Sequence, residues 1–513
     1  MSQAPLVLAI LDGWGIAPPS PGNAVTLAKT PVVDRWKKTY PWTTLQASGL
    51  AVGLANHQDG NSEAGHMNIG AGRMVPQEGM RISQSIADGT FFRNPAFLAA
   101  IHHVKKHKTT LHIMGMLGNN QSAHADPDHL LALLLLAQNH RLQKVRLHLF
   151  TDGRDSPRFL AREILTRTLP FLGDAQVATI MGRFYGMDRN KNWSRTEQAY
   201  NAIVSGQAAH RVPDAMAAIS QAYNRGESDE FISPTVIGQY GGLEDNDAII
   251  HFNLRSDRAR QLSKTFVQSE FERKNAITKA FTRSKVCHGL SFVAMTEFGP
   301  DLDSILTAYP AVQLQQTFPM VLHDLKQLYI AESEKFAHVT YFFNGGYADP
   351  VGGEDRMMVP SPDVQYYDQT PAMSSGVLTD RVLADLENHR HDVIVLNYAN
   401  TDMVAHTGNL PASIAAMEAT DACLGRLEEA VLKQHGTLCV TADHGNIEEL
   451  LNESTGEVDT EHSTNPVPFY IVRSGEHMTL RSNGILGDVA PTILALMQRP
   501  QPAEMTGQNL ITS

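Results

Sequence analysis

The sequence predicts an α/β protein with a largely parallel sheet, and three observations carry that expectation. Apolar and β-branched runs alternate with polar loops and helical stretches along the chain, the pattern of strands joined by crossover helices. At 513 residues the chain is too long for one compact core, so two or more domains are expected. Acidic, basic and imidazole side chains stand directly after the apolar runs, where open α/β sheets bind ligands.

The candidate strands, in chain order, begin with "PLVLAIL", which ends at Asp12. The segment "DGNSEAGHMNIGAG" (59–72) follows. It reads either as a polar surface turn or as a helix start presenting the Ser62 hydroxyl where backbone N–H groups welcome an anion. "TLHIMGM" comes next, then "VRLHLF" followed by Asp152, Arg154 and Asp155, "VATIM" followed by Arg183 and Arg189, and "AIIHF" followed by Arg255 and Arg258. "HVTYFF" is a further candidate, and "DVIVLNY" precedes Asp402 and His406. "TLCVTA" precedes Asp443 and His444, and His462 in "EHSTNPVPFY" stands just before "VPFYIV". Proline-marked junctions at "RMVPQ" (73–77) and "TAYPA" (307–311) are candidate hinges.

Composition excludes other classes. With 42% hydrophobic and 19% charged residues and no low-complexity tract, nothing predicts disorder. A formal charge of −12 argues against generalised binding to nucleic acid or anionic lipid. The first apolar run stops at Asp12 with no basic segment before it, so no signal peptide is expected. Cys287, Cys423 and Cys439 form no CxxC pair, which fits a reducing, cytoplasmic compartment. Without a secretory signal, the sequons "NWS" and "NES" are expected to be chance matches. "HHVKKHK" (102–108) reads as a solvated helix face. "GGYADPVGG" (345–353) reads as a loop, because no GK[ST] follows it.

Asp402 and His406, four apart, share one face if their segment is helical. Together with Asp12, Ser62, Asp443, His444 and His462 they are more donors than one ion needs, so two metal sites are expected. A pair of ions roughly 3.5–4 Å apart can clamp both oxygens of a phosphoryl transfer, and coordination would lower the pKa of the Ser62 hydroxyl. Shared ligands place both chain ends in one domain, formed by 1–76 and 311–513, with 77–310 as an inserted domain. Arg154, Arg183, Arg189, Arg255 and Arg258 in that insertion suit bidentate capture of a polyanionic small molecule. Asp155 beside Arg154 is a candidate general acid/base.

The ordered motifs "ILDGWG", "DGNSEAGHMNIGAGR", "DGRDSP", "FYGMDR", "FNLRSDRA", "EKFAHVTYFFNGG", "NYANTDMVAHTG", "TADHGN" and "HSTNPVPF" closely resemble the cofactor-independent phosphoglycerate mutases of the alkaline phosphatase-like superfamily, essentially end to end. The resemblance implies one divalent metal, usually Mn2+, on Asp402, His406 and His462, and a second on Asp12, Ser62, Asp443 and His444. It implies that Ser62 is transiently phosphorylated during interconversion of 3- and 2-phosphoglycerate in glycolysis and gluconeogenesis, and that the protein is a monomer. It also implies substrate contacts at His124, Arg154, Asp155, Arg183, Arg189, Arg255, Arg258 and Lys335. Spacing alone singles out neither Lys335 nor His124.

The family's "NPDMVGHTG" reads here with Thr401 and Ala405, sparing the ligands, and its "PEMSA" reads "PAMSS" (371–375). The loop before His124, "NNQSAHAD", aligns only with a one-residue insertion. The rival readings are a phosphomonoesterase, a sulfatase or a phosphopentose mutase on the same donors, or an anion-binding protein without catalysis.

Overall fold

The computed structural model describes residues 4–119, 122–302, 304–452, 456–475 and 478–512. The chain divides into two compact units, Met1–Gln77 with Val312–Ser513, and Glu78–Ala311. Each is α/β with its own eight-stranded sheet.

In the first unit the strand order is Asp355–Val359, Gln327–Glu332, Val393–Tyr398, Leu6–Leu11, Thr437–Thr441, Val467–Val472, Trp42–Gln46 and Gly484–Ile485. The first five are mutually parallel, and Val467–Val472 runs antiparallel to both its neighbours. Leu6–Leu11 and Val393–Tyr398 are buried at every position, as central parallel strands must be when both faces are covered. Each fully buried Leu, Ile or Val side chain contributes about 1.5–3 kcal/mol, so polar side chains concentrate where these strands end. One layer is formed by Leu410–Lys433, opened by Asn409, whose side chain accepts from Ala412 N–H, and by Pro411 in its first turn. Ser375–Glu387 packs beside it.

In the second unit the order is Ile305–Tyr309, Ser291–Thr296, Ala248–His251, Leu111–Leu117, Val145–Thr151, Gln176–Gly182, Thr235–Ile237 and His210–Val212. Only the pairing of Gln176–Gly182 with Thr235–Ile237 is antiparallel. "HHVKKHK" lies on the helix Pro95–His107, whose Ile101 and Val104 face the core while His102, Lys105, Lys106 and His107 are exposed.

One expected strand is not a strand. "HVTYFF" forms a π-helix, His338–Phe342. Buried residues in it and on either side recur as Lys335, Val339, Thr340, Phe343 and Asn344, a spacing of four to five rather than two, and Thr340 Oγ1 donates to Phe336 O at 2.6 Å. The strand here is instead Gln327–Glu332, whose polar ends shorten its apolar run to four residues. Asn120 and Gln121 of the loop before His124, and two residues of the "NES" sequon, lie outside the described residues.

Candidate functional site

In the first unit the side chains of interest gather at one edge of the sheet. Asp12 follows Leu6–Leu11, Asp443 and His444 follow Thr437–Thr441, and Lys335 follows Gln327–Glu332. Asp402 and His406 lie on and just beyond the short helix Asn400–Ala405 that follows Val393–Tyr398. His462 precedes its strand and still reaches this edge, because Val467–Val472 is antiparallel to its neighbours. Ser62 is the first residue of the helix Ser62–Ala71, and Asn61 caps that helix by accepting from Ala64 N–H at 2.9 Å. Gly65 lets this helix touch the Asp443 loop, since a Cβ there would stand 2.4 Å from the Asp443 carbonyl oxygen.

Two donor groups result. His406 Nε2 and His462 Nε2 are 3.2 Å apart, and each lies 3.4 Å from Asp402 Oδ1. A tetrahedral ion with ligands at about 2.0–2.2 Å holds them roughly 3.4 Å from one another. In the second group, His444 Nε2 is 3.0 Å from Ser62 Oγ, 3.5 Å from Asp443 Oδ2 and 3.6 Å from Asp12 Oδ1, while Ser62 Oγ to Asp12 Oδ1 is 3.3 Å. The other ring nitrogen is committed in all three imidazoles. Nδ1 of His406 donates to Thr460 O, that of His462 to Gly60 O and that of His444 to Gly445 O, at 2.8, 2.8 and 3.2 Å. Such backbone acceptors fix the tautomer that leaves Nε2 free as a ligand.

Electrostatics favours cations here. Asp12, Asp402 and Asp443 are all buried, and Lys335 Nζ reaches Asp12 Oδ1 at 2.5 Å, Asp402 Oδ2 at 2.7 Å and Ser62 Oγ at 2.9 Å. Burial works against the ammonium, but Asp12 and Asp402 outweigh it and raise the Lys335 pKa. Burial and neighbouring Asp443 push the Asp12 carboxyl up to about 7. Burial also raises Asp402 and Asp443, but Lys335 holds the first and His444 and His66 the second well below the usual carboxylate range. Burial pushes His444 down to about 3, leaving a neutral imidazole.

Asn397 donates to Asp12 Oδ2 at 2.7 Å and to His66 Nε2 at 3.0 Å. His66 Nδ1 therefore carries the hydrogen and directs it to Ser62 O at 2.9 Å, and although it also stands 3.2 Å from Asp443 Oδ2, that buried oxygen receives no well-aligned hydrogen bond. Three buried carboxylates against one ammonium, an unsatisfied carboxylate oxygen and converging Nε2 atoms fit two divalent ions with oxygen and imidazole ligands.

In the second unit the arginines cluster where the Val145–Thr151, Gln176–Gly182 and Ala248–His251 strands end. Arg183 is buried and bridges Asp152 Oδ1 and Asp155 Oδ2, the latter at 2.9 Å. Ser122 Oγ donates to the same Asp155 oxygen at 2.8 Å, and His124 Nε2 stands 3.9 Å from it. Burial raises the Asp155 carboxyl, but Arg183 outweighs this and holds it below its ordinary value. Burial and Arg183 push His124 down to about 4. Burial lowers Arg258, and the neighbouring cations Arg183, Arg189 and Arg154 lower it further, which brings these four into one field. Arg189 Nη1 pairs with Asp257 Oδ2 at 2.7 Å, and Arg255 Nε lies 3.8 Å from Asp257 Oδ1. Arg154, Arg189 and Arg255 keep half-exposed side chains.

Each expected residue thus sits in one of two clusters, Asp12, Ser62, Lys335, Asp402, His406, Asp443, His444 and His462 in the first unit and the remainder in the second. Sequence reasoning missed Asn397 and His66. Asn397 interrupts the buried run "VIVLNY", and His66 stands one helical turn after Ser62, which are the signals that mark them. Thr401 ties the loops further, its hydroxyl donating to Asp12 O. Ala372 is exposed, so no buried partner misses the glutamate of the related motif.

Comparison with known proteins agrees with these features. The Metalloenzyme superfamily model matches residues 4–501. The 2,3-bisphosphoglycerate-independent phosphoglycerate mutase of Chloroflexus aggregans is 47% identical over 99% of this chain and 98% of its own. The protein named 2,3-bisphosphoglycerate-independent phosphoglycerate mutase 2 from Methanosarcina barkeri is 45% identical over 100% and 99%. A crystal structure of Leishmania mexicana phosphoglycerate mutase at low cobalt concentration superposes with a TM-score of 0.75 at 27% identity, covering 99% of this chain and 98% of that one. The chain therefore belongs to the 2,3-bisphosphoglycerate-independent phosphoglycerate mutases, isomerases of the metalloenzyme superfamily.

Proposed function

We propose that the chain interconverts 3-phosphoglycerate and 2-phosphoglycerate through a phosphoserine on Ser62, without a bisphosphoglycerate cofactor. The observation that carries this reading is the placement of Ser62 Oγ. It is buried at a helix start, 2.9 Å from the Lys335 ammonium, 3.0 Å from His444 Nε2 and 3.3 Å from Asp12 Oδ1. Two divalent ions, Mn2+ by family resemblance, one on Asp402, His406 and His462 and one on Asp12, Ser62, Asp443 and His444, would lower the pKa of the Ser62 hydroxyl and neutralise charge on the phosphoryl oxygens.

In the first step the bond between phosphorus and the substrate 3-oxygen breaks as Ser62 Oγ bonds to phosphorus. In the second, the substrate 2-oxygen displaces Ser62, which leaves the cycle as it entered. Lys335 stabilises the charge spread over the transferring oxygens, where most of the catalysis of phosphoryl transfer lies. Arg154, Arg183, Arg189, Arg255 and Arg258, with His124, hold the carboxylate and hydroxyls of the glycerate. Asp155, kept ionised by Arg183, takes the proton of the 2-hydroxyl and passes it to the 3-oxygen as that oxygen leaves phosphorus in the first step, so the 2-oxygen enters the second step already deprotonated and Asp155 ends the cycle ionised as it began. The half-reaction demands a dry site, because water would hydrolyse phosphoserine.

The test is incubation of Mn2+-loaded protein with 3-phosphoglycerate alone. NMR should show 2-phosphoglycerate, and mass spectrometry of quenched samples a phosphorylated Ser62 peptide. Isomer formation with undiminished turnover in Ser62→Ala would overturn the covalent step, and phosphate release outrunning isomer formation would favour a phosphatase.

A further inference from the structure

Glu448 belongs to neither donor group, yet it is 1% exposed and lies at the centre of the loops that carry them. Its Oε2 accepts from Gly15 N–H and Asn446 N–H, each at 2.9 Å. Its Oε1 accepts from Ser463 Oγ, and from Asn465 Nδ2 at 3.1 Å. Gly15 is three residues past Asp12, Asn446 two past His444, and Ser463 is adjacent to His462. Asn446 extends the reach to a fourth loop, because its Nδ2 donates to Asp402 Oδ1 at 2.7 Å. Ser463 N–H closes onto Gly445 O at 3.1 Å, joining the His444 and His462 loops directly.

We infer that Glu448 is a positioning residue whose carboxylate sets the spacing of both proposed metal sites by tying together the Asp12, Asp443–His444 and His462 loops. The inference rests on the two-metal reading above. Its chemistry is that of a group with acceptors only, matched to four donors from three separate loops. A residue that merely satisfied local backbone would take its donors from its own turn. The glycines show how closely the loops are drawn in. A Cβ at Gly15 would stand 2.3 Å from Glu448 Cδ, and one at Gly445 would stand 2.4 Å from Glu448 Oε1. No side chain fits at either position while the carboxylate stays where it is. Glutamine keeps the shape of Glu448 but replaces one oxygen by an NH2 that would face two donors, so at least one loop must move. The ligand atoms in each group lie within 4.8 Å of one another, and a shift of a few tenths of an ångström is enough to degrade them as a coordination set.

The experiment is calorimetric titration of the chelator-stripped full-length chain with Mn2+, alongside thermal melting. Glu448→Gln should melt cooperatively and bind Mn2+ about 10- to 100-fold more weakly than the parent, the usual cost of losing a partner that orients ligands. Gly15→Ala should move Mn2+ affinity in the same direction, since its methyl displaces the carboxylate. A purely structural role would lower the melting temperature and leave the affinity alone. Folded Glu448→Gln with Mn2+ affinity within about two-fold of the parent, less than any such partner contributes, overturns the inference. If Glu448→Gln does not fold, Ser463→Ala, which removes one donor of four, carries the test. It should lose affinity by a smaller factor, and unchanged affinity overturns the inference equally. Failure of the parent itself to bind Mn2+ would instead remove the metal reading, and the role of Glu448 with it.

Discussion

The two units deploy charge in opposite ways. In the first, Asp12, Asp443 and His444 have no exposed side-chain surface, and the imidazoles of His406, His444 and His462 are each locked by a backbone carbonyl. In the second, side-chain exposure is 58% for Arg154, 50% for Arg189 and 46% for Arg255, and only Arg183 is sealed in by carboxylates. The difference is the one the proposed function calls for. A metal or phosphoryl site needs fixed donors that do not reorganise during reaction, whereas capture of a small soluble anion needs cations that water and ligand can reach. Ion pairs of half-exposed arginines are worth about 0–1 kcal/mol, so an anionic ligand displaces them at little cost.

The contrast can be broken most sharply at Ser62. Ser62→Ala should reduce mutase turnover by at least about 10^4-fold, as removal of a nucleophile does, while glycerate binding to the arginines persists. Turnover by NMR and glycerate binding by calorimetry check the two halves separately. Arg183→Ala comes next, because it strands Asp152 in a buried setting. It should destabilise the chain by about 3–5 kcal/mol in denaturant melts, unlike any other arginine of the cluster.

Glu332 sharpens the picture of the buried unit. Burial, against a hydrogen bond from Ser374 N–H, pushes its carboxyl up to about 7 from 4.5. Between those values the folded chain holds a proton that the unfolded chain has released, so stability falls as pH rises through that window. Glu332→Gln should abolish that decline and be about 1–3 kcal/mol more stable than the parent above pH 7, measured by melts across pH. The smallest effect belongs to Arg154→Ala. It should raise KM about tenfold through loss of one charge-assisted contact and change stability by less than about 0.5 kcal/mol.

The sequence made the donors legible where an apolar run ends abruptly in a charged residue. Asp12, Asp443 and His444 stand out because burying the run fixes where its end emerges. Asn397 did not stand out, since it lies inside such a run and its purpose depends on Ile10 lying beside it in the next strand. "HVTYFF" misled because its residues favour strands locally, while burial of Val339 and Phe343, the latter against Phe318 and Tyr329, required a helical repeat. Among the cysteines, unpaired burial of all three agrees with the spacing, and no helix among the described residues is long and apolar enough to cross a membrane.

The sequence by itself determined the α/β class, the alternation of strand and reactive loop, and the chemical types gathered at the strand ends, because each is a short-range consequence of burial and periodicity. Only the tertiary structure decided that Asp12 and His462, 450 positions apart in the chain numbering, serve one edge of one sheet, and that Glu448 draws their loops together. Those facts depend on strand order and on the antiparallel direction of Val467–Val472. They arise from long-range packing that no local window of sequence contains.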